Sequence, residues 1–156
     1  MNNNEKLIEQ FYSCFQARDY KGMAECYHSD IEFSDMVFPN LKGIRAKAMW
    51  QMLCQRATDL EIITSGIRAD DKKGQAHWEA RYTFTKTGKK VHNKIDARFE
   101  FQDGKIIKHI DSFDLWKWAS MALGTKGMLL GWFPMVQSAI RKEANSNLDS
   151  FINKNL

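Results

Sequence analysis

Residues 91–115 read VHNKIDARFEFQDGKIIKHIDSFDL, and their alternation decides the fold. In Val91–Gln102, the side chains of Ile95, Ala97, Phe99 and Phe101 share one face, and His92, Lys94, Asp96, Arg98 and Glu100 share the other. A period of two marks a strand, because successive side chains of extended backbone point to opposite sides. In Lys105–Leu115, the residues Ile107, His109, Asp111 and Phe113 fall together. Asp103-Gly104 joins the two runs, and Asp-Gly is the strongest short hairpin signal because both residues accept positive φ.

Working outward, Glu61–Ala69 and Gln75–Thr85 are two further strand-like runs. They are bounded by Asp70–Gly74 and Lys86–Lys89, each holding a glycine suited to a hairpin turn. Four strands and three hairpins predict an antiparallel meander. Before Leu60 the period changes. Leu7, Ile8, Phe11 and Phe15 recur at helical spacing, and Asp19 reads as the N-cap of a second helix holding Met23, Ala24 and Tyr27. Ile31–Phe38 reads as a short strand, and a third helix from Arg45 to about Gln55 aligns Ala46, Met49, Trp50 and Leu53. Three helices packed on a meander sheet is the α+β layout. Residues 1–118 are expected to form this domain, and residues 119–156 a C-terminal extension of it. The extension is expected to hold a helix near Phe133–Ala144, with a polar end, Asn145–Leu156, that frays unless it docks.

A chain of 156 residues suits one domain and buries enough surface for a core with a pocket in it. The net charge is +4, from 23 basic and 19 acidic residues, and the basic residues are scattered. Nucleic-acid binders concentrate such charge on one face or in one run, so nucleic acid is not an expected partner. Cys14, Cys26 and Cys54 are an odd set without paired spacing, which predicts reduced thiols. The opening Met-Asn-Asn-Asn-Glu-Lys lacks an apolar leader, and a cytoplasmic location is expected. Ala119–Val136 is apolar, but Gly124, Lys126, Gly127, Gly131 and Pro134 interrupt it, so no membrane span is expected. No metal-ligand spacing, phosphate loop or dinucleotide fingerprint is present, and no cofactor is expected.

The charged stripe of residues 92–100 has an ordinary reading as the solvated face of a sheet. The motifs add a second. Residues 18–35 (RDYKGMAECYHSDIEFSD) resemble, without gaps, the ketosteroid isomerase segment that runs from a helix-opening Asp to the catalytic Asp. Residues 95–105 (IDARFEFQDGK) resemble the isomerase strand with the oxyanion-hole Asp, and 104–111 (GKIIKHID) the SnoaL-type strand ending in His-x-Asp. Over about residues 5–118 the chain is similar to the ketosteroid isomerase/SnoaL group of the NTF2-like superfamily. That resemblance implies a cone-shaped α+β fold around an apolar pocket, with Asp35 as general base, Asp96 as oxyanion donor and Asp111 as acid/base, and it sets His109 beside Asp111.

Two departures bear on mechanism. Phe11 stands where the isomerase has its oxyanion tyrosine, and Tyr12, next to it, is turned about 100° around the helix. Arg98 shares a face with Asp96, either as a cavity ion pair that keeps Asp96 ionised, as epoxide hydrolase chemistry requires, or as a surface pair. Candidate pocket walls are Phe11, Phe15, Tyr27, Phe38, Trp50, Leu53, Trp78, Tyr82, Phe113 and Trp116, which serve equally as core. Met128–Met135 is too apolar to lie bare on a monomer, and a lid that also contacts a second subunit is expected, with lipid contact as the alternative. The sequence therefore points to an isomerase, cyclase or epoxide hydrolase acting on a small apolar carbonyl or epoxide compound. The competing expectation is a non-catalytic domain that binds a hydrophobic ligand or partner.

Overall fold

Helices α1 (Asn3–Gln16) and α2 (Tyr20–Cys26) lead into β1 (Tyr27–Ser34), β2 (Leu41–Lys42) and α3 (Ile44–Arg56). The strands β3 (Glu61–Ala69), β4 (Lys73–Phe84), β5 (Lys89–Gln102) and β6 (Lys105–Ser112) follow, and α4 (Leu115–Leu123), α5 (Thr125–Leu130) and α6 (Pro134–Asn155) close the chain. This is a computed structural model that describes residues 1–156. Helices α1 and α2 start where their cap chemistry dictates. Asn2 accepts from the Glu5 N–H while Glu5 accepts from the Asn2 N–H, a reciprocal capping box, and Asp19 accepts from the Gly22 N–H at 2.9 Å.

The sheet runs β2-β1-β6-β5-β4-β3. Its last four strands form the expected antiparallel meander, whereas β1 lies parallel to β6. The third strand of the meander alternates as its sequence does: Val91, Asn93, Ile95, Ala97 and Phe99 are buried, and Lys94, Asp96, Arg98 and Glu100 are exposed. A register shift at Glu100/Phe101 then breaks parity, leaving Phe101 half-buried and sending Ile106 rather than Ile107 into the core. β6 has a neighbour on both sides, so its inward side chains are sealed laterally as well as from above.

Two sequence expectations change. Tyr27 ends no helix: it opens β1 in extended backbone (φ −90°, ψ 139°), which turns its ring into the core instead of along α2. Gly74 is not the turn glycine of its hairpin. It lies within β4, where a Cβ would come within 2.9 Å of both Ile8 and Phe101, so its role is to let α1 approach the sheet. Asp70 makes that turn instead, accepting from the Lys72 and Lys73 N–H groups at 2.8 Å each.

The core lies between the inner sheet face and helices α1, α3 and α6, and Leu148 and Phe151 of α6 belong to it. α6 is longer than the sequence suggested because its polar residues find anchors. Arg45 pairs with Asp149 at 2.6 Å, the Arg141 Nε donates to the Met36 carbonyl at 2.8 Å, and Asn145 donates to the Val37 carbonyl at 3.3 Å. No helix is long and apolar enough to cross a membrane.

If α6 is part of the core, Leu148→Ala costs about 2–5 kcal/mol in chemical denaturation, as a buried leucine cavity does. Met135→Ala, at a position 83% exposed, changes stability by less than about 0.5 kcal/mol.

Candidate functional site

The middle of β6 places His109 and Asp111 on the inner face, two residues apart, with only 0% and 3% of their surfaces exposed. The register sets His109 opposite Phe99 on β5 and Phe33 on β1. The Trp50 ring lies nearly parallel to the imidazole (15° between planes, centroids 6.0 Å apart), and Phe99 sits 4.4 Å away. Two polar side chains in such an apolar box must satisfy one another, because an unpaired buried polar group costs about 1–3 kcal/mol.

They do so through one directed chain. Trp50 Nε1 donates to the Tyr27 hydroxyl at 2.8 Å, and that hydroxyl meets His109 Nδ1 at 2.7 Å. His109 Nε2 meets Asp111 Oδ1 at 2.9 Å, and Trp78 Nε1 reaches the same oxygen at 3.4 Å. The indole can only donate, so the tyrosine oxygen accepts from it, which leaves the tyrosine proton free to go to Nδ1. The His109 proton then rests on Nε2 and points at Asp111. With that tautomer every hydrogen of the chain has a partner, and every dipole is aimed toward Asp111. Burial pushes the Tyr27 hydroxyl well above the usual phenol range, so it relays polarity without ionising.

Asp35 approaches the same region from the turn after β1. Its Oδ1 accepts from the Val37 and Phe38 N–H groups at 2.7 and 2.6 Å, which fixes its direction. Burial is the main influence on it and lifts its pKa to about 7; the two N–H donors oppose the rise, and the Asp111 charge adds to it. Helix α6 holds the turn by the Arg141 and Asn145 contacts to Met36 and Val37. Nearby, Tyr82 is raised first by burial and further by the Asp35 charge, and its hydroxyl accepts from Trp118 of α4 at 2.7 Å.

Tyr12 is the residue that sequence reading set aside. Its hydroxyl is the one buried side-chain polar atom without a hydrogen-bond partner. Burial, then the charge of Asp111, raises it well above the usual range. The apolar stripe of α1 is wide enough to bury Ile8, Phe11, Tyr12 and Phe15 together, so a 100° turn from Phe11 still faces inward. The i, i+3, i+4, i+7 spacing of Ile8, Phe11, Tyr12 and Phe15 was the available signal. Trp50 and Tyr27 were named as walls, but nothing local announces that Trp50 donates to Tyr27 or that Tyr27 bonds a histidine 82 positions further on.

Asp96 and Arg98 lie elsewhere. Asp96 is on the outer sheet face, 82% exposed at its side chain, and bonds His77 Nδ1 at 2.9 Å. Arg98 is exposed on the same outer face and lines a depression of about 580 Å³ with Arg68, Gln75, Glu100 and Lys108. That hollow contains neither Asp35 nor Asp111, and of the two readings of Arg98 and Asp96 the cavity ion pair does not form, because residues of even number on β5 point away from the core. Among the wall candidates, Phe11, Phe15, Tyr27, Phe38, Trp50 and Trp78 are buried, and Tyr82 and Phe113 are partly so. Leu53 and Trp116 are 37% and 46% exposed and face outward, each on the solvent side of its helix. The interior beside Asp111 is filled by Tyr12, Trp50, Trp78 and Phe99, whose rings meet at centroid distances of 6.0–6.3 Å.

Comparison with known proteins agrees with this architecture. The family described as SnoaL-like domain matches residues 8–109. An epoxide hydrolase of the LEH-like kind from M. tuberculosis superposes with a TM-score of 0.65 at 18% identity, covering 81% of this chain and 92% of that one. A proposed SnoaL-like polyketide cyclase from Jannaschia sp. CCS1 gives 0.68 at 14% identity, over 78% and 92% of the two chains. An NTF2-like protein of unknown function from Burkholderia pseudomallei gives 0.63 at 15% identity, over 73% and 92%. No curated protein matches the sequence. Likeness at these identities establishes the fold alone.

The site makes two predictions for stability. Between about pH 4 and 7 the unfolded chain has lost the Asp35 proton that the folded chain keeps, so this group favours folding at low pH and the advantage is lost as pH rises through about 7. In urea denaturation, the stability of the protein relative to Asp35→Asn falls by up to about 1.4 kcal/mol per pH unit across that window and levels above it. Tyr27→Phe strands the Trp50 N–H and His109 Nδ1 and costs about 1–3 kcal/mol in the same assay.

Proposed function

This chain belongs to the SnoaL-like domain family, and we propose that it is an acid/base enzyme acting on a small, largely apolar carbonyl or epoxide compound. The observation that carries this reading is a pair of carboxyl groups with different surroundings: Asp111, buried and fed by the Trp50–Tyr27–His109 chain, and Asp35, part-buried in a turn, whose pKa desolvation lifts to about 7. A catalytic group is most useful when its pKa lies near the working pH. In this scheme Asp111 removes a proton, from carbon beside a carbonyl or from a water attacking an epoxide. His109 Nε2–H steadies the carboxylate before the transfer and turns with it afterwards. Asp35, in its protonated form, delivers its proton to the oxygen that gains charge, and solvent or the product returns the two groups to their starting states. The Tyr12 hydroxyl is a further donor for that oxygen.

The C-terminal extension serves the site in this reading by bracing the Asp35 turn through α6 and covering Tyr82 through α4. The structurally similar epoxide hydrolase and proposed polyketide cyclase support proton-transfer chemistry on this fold without selecting between the two substrates. The aromatic cluster favours a second reading, in which a hydrophobic ligand parts the packed rings of Trp50, Trp78 and Phe15 and leaves unchanged.

Native mass spectrometry of the purified protein identifies a retained ligand, and turnover assays for isomerisation, cyclisation and epoxide hydrolysis decide the class. Asp111→Asn and Asp35→Asn are each expected to lower turnover by about 100–10,000-fold with the fold intact. Activity that requires protonated Asp35 declines above about pH 7. Unchanged turnover in both variants overturns the assignment.

A further inference from the structure

The end of the molecule formed by α4, α5 and the start of α6 carries an apolar surface that no part of the chain covers. Trp116, Met128, Leu129, Trp132, Phe133 and Met135 are 46%, 53%, 61%, 55%, 41% and 83% exposed. The Trp132 and Phe133 rings stack at 4.1 Å, and Trp116 packs beside Gly131, so these side chains form one platform and not scattered surface residues. Isolated exposed apolar residues need no explanation, but a contiguous patch of this kind does.

Charge selects the occupant. From Leu115 to Lys142 the sequence has no acidic residue and four basic ones, Lys117, Lys126, Arg141 and Lys142. Lys117 and Lys126 are exposed, and Lys89 of the neighbouring hairpin lies against Gly124 at the α4–α5 junction. A two-fold contact between copies through this patch would bring like charges together. A surface of anionic lipid would attract each of them.

The polar groups of the platform also fit a low-dielectric surface. The Trp116 and Trp132 indole N–H groups donate to the Met128 and Leu129 carbonyls at 3.0 and 3.1 Å. The Gly131 N–H donates to Gly127 at 2.8 Å, the Phe133 N–H to Leu130 at 3.0 Å, and Gln137 donates to the Gly131 carbonyl at 3.0 Å. Backbone and indole donors that already hold internal partners can leave water without the penalty that keeps most loops out of the bilayer interface. Gly127 makes this possible: it lets α5 lie against the Ala119 carbonyl, where any Cβ would collide.

We propose that the α4–α6 platform docks on an anionic lipid bilayer, seating Trp132, Phe133 and Met135 at the headgroup level beneath a rim of Lys89, Lys117 and Lys126. Aromatic rings favour that depth, and lysine side chains reach back to the phosphates. The docking is peripheral, since α5 is far too short to span.

The test is sedimentation of the full chain with vesicles of phosphatidylcholine alone or mixed with phosphatidylglycerol. Binding is expected only to the mixed vesicles and to weaken with added salt. The double variant Trp132→Ser/Phe133→Ser should reduce partitioning by at least about tenfold. The independent pair Lys117→Glu/Lys126→Glu should do so by about tenfold or more. Both pairs are exposed, and circular dichroism melts are expected to match those of the parent protein. Tryptophan quenching by brominated lipid should appear in the parent and shrink in the Trp132 variant. Absence of binding to the mixed vesicles at low salt overturns the proposal. Equal binding by parent and both variants overturns it too, as does a dimer that the Trp132/Phe133 variant converts to monomer while vesicle binding is unchanged, which assigns the patch to a second copy.

Discussion

The hydrogen bond between His109 and Asp111 is the constraint around which the inner half of this protein is arranged. Burying an imidazole and a carboxyl group at the centre of an aromatic core is unfavourable unless both are fully partnered. Asp111 can be tolerated because His109 and Trp78 donate to it, and His109 because Tyr27 fills its other nitrogen. Tyr27 in turn depends on Trp50, which lies on α3. One bond therefore ties together the middle of the sheet, the first strand and the third helix. It also explains why the chain leaves the helical conformation at Tyr27: a helical Tyr27 would not deliver its hydroxyl to β6.

The two carboxyl groups of the inner face are held in different ways, and the difference is chemically useful. Asp111 sits within a side-chain network whose dipoles all point toward it. Asp35 is held by two backbone N–H groups in a turn, under a helix added late in the chain, and its burial outweighs those bonds. Two carboxyls in one region whose surroundings treat them unequally are the usual basis for dividing acid and base roles. Asp96 and Arg98 share none of this. Facing water on the outer sheet, they belong to the set of charges that keeps that face solvated, along with His77 and Glu79.

The C-terminal third has two distinct jobs. The later part, α6, contributes Leu148 and Phe151 to the core and grips the Asp35 turn by Arg141 and Asn145. The earlier part, α4 with α5, closes over the β4–β5 hairpin through Trp118 and Tyr82 and then turns its remaining apolar side chains outward. Its internal hydrogen bonds make that outward face self-sufficient.

The sequence by itself determined most of the elements and which residues share a face within each. Period-two alternation in residues 91–102, the Asp103-Gly104 turn and the helical stripe of α1 reflect local backbone geometry, which neighbouring residues alone encode. For the same reason His109 and Asp111 were legible as a pair on one face, and the parity that put Asp96 and Arg98 together was also correct. What local geometry does not encode is which face of a strand meets the helices, and only the tertiary structure decided that Asp96 and Arg98 point to water. It alone joined Trp50 and Tyr27 to His109, turned Tyr12 inward and gave Gly74 its work beneath Ile8, because each depends on contacts between residues far apart in the chain. The docking of α6 belongs there too: its polar residues read as a fraying end until Arg45, Met36 and Val37 are brought within reach.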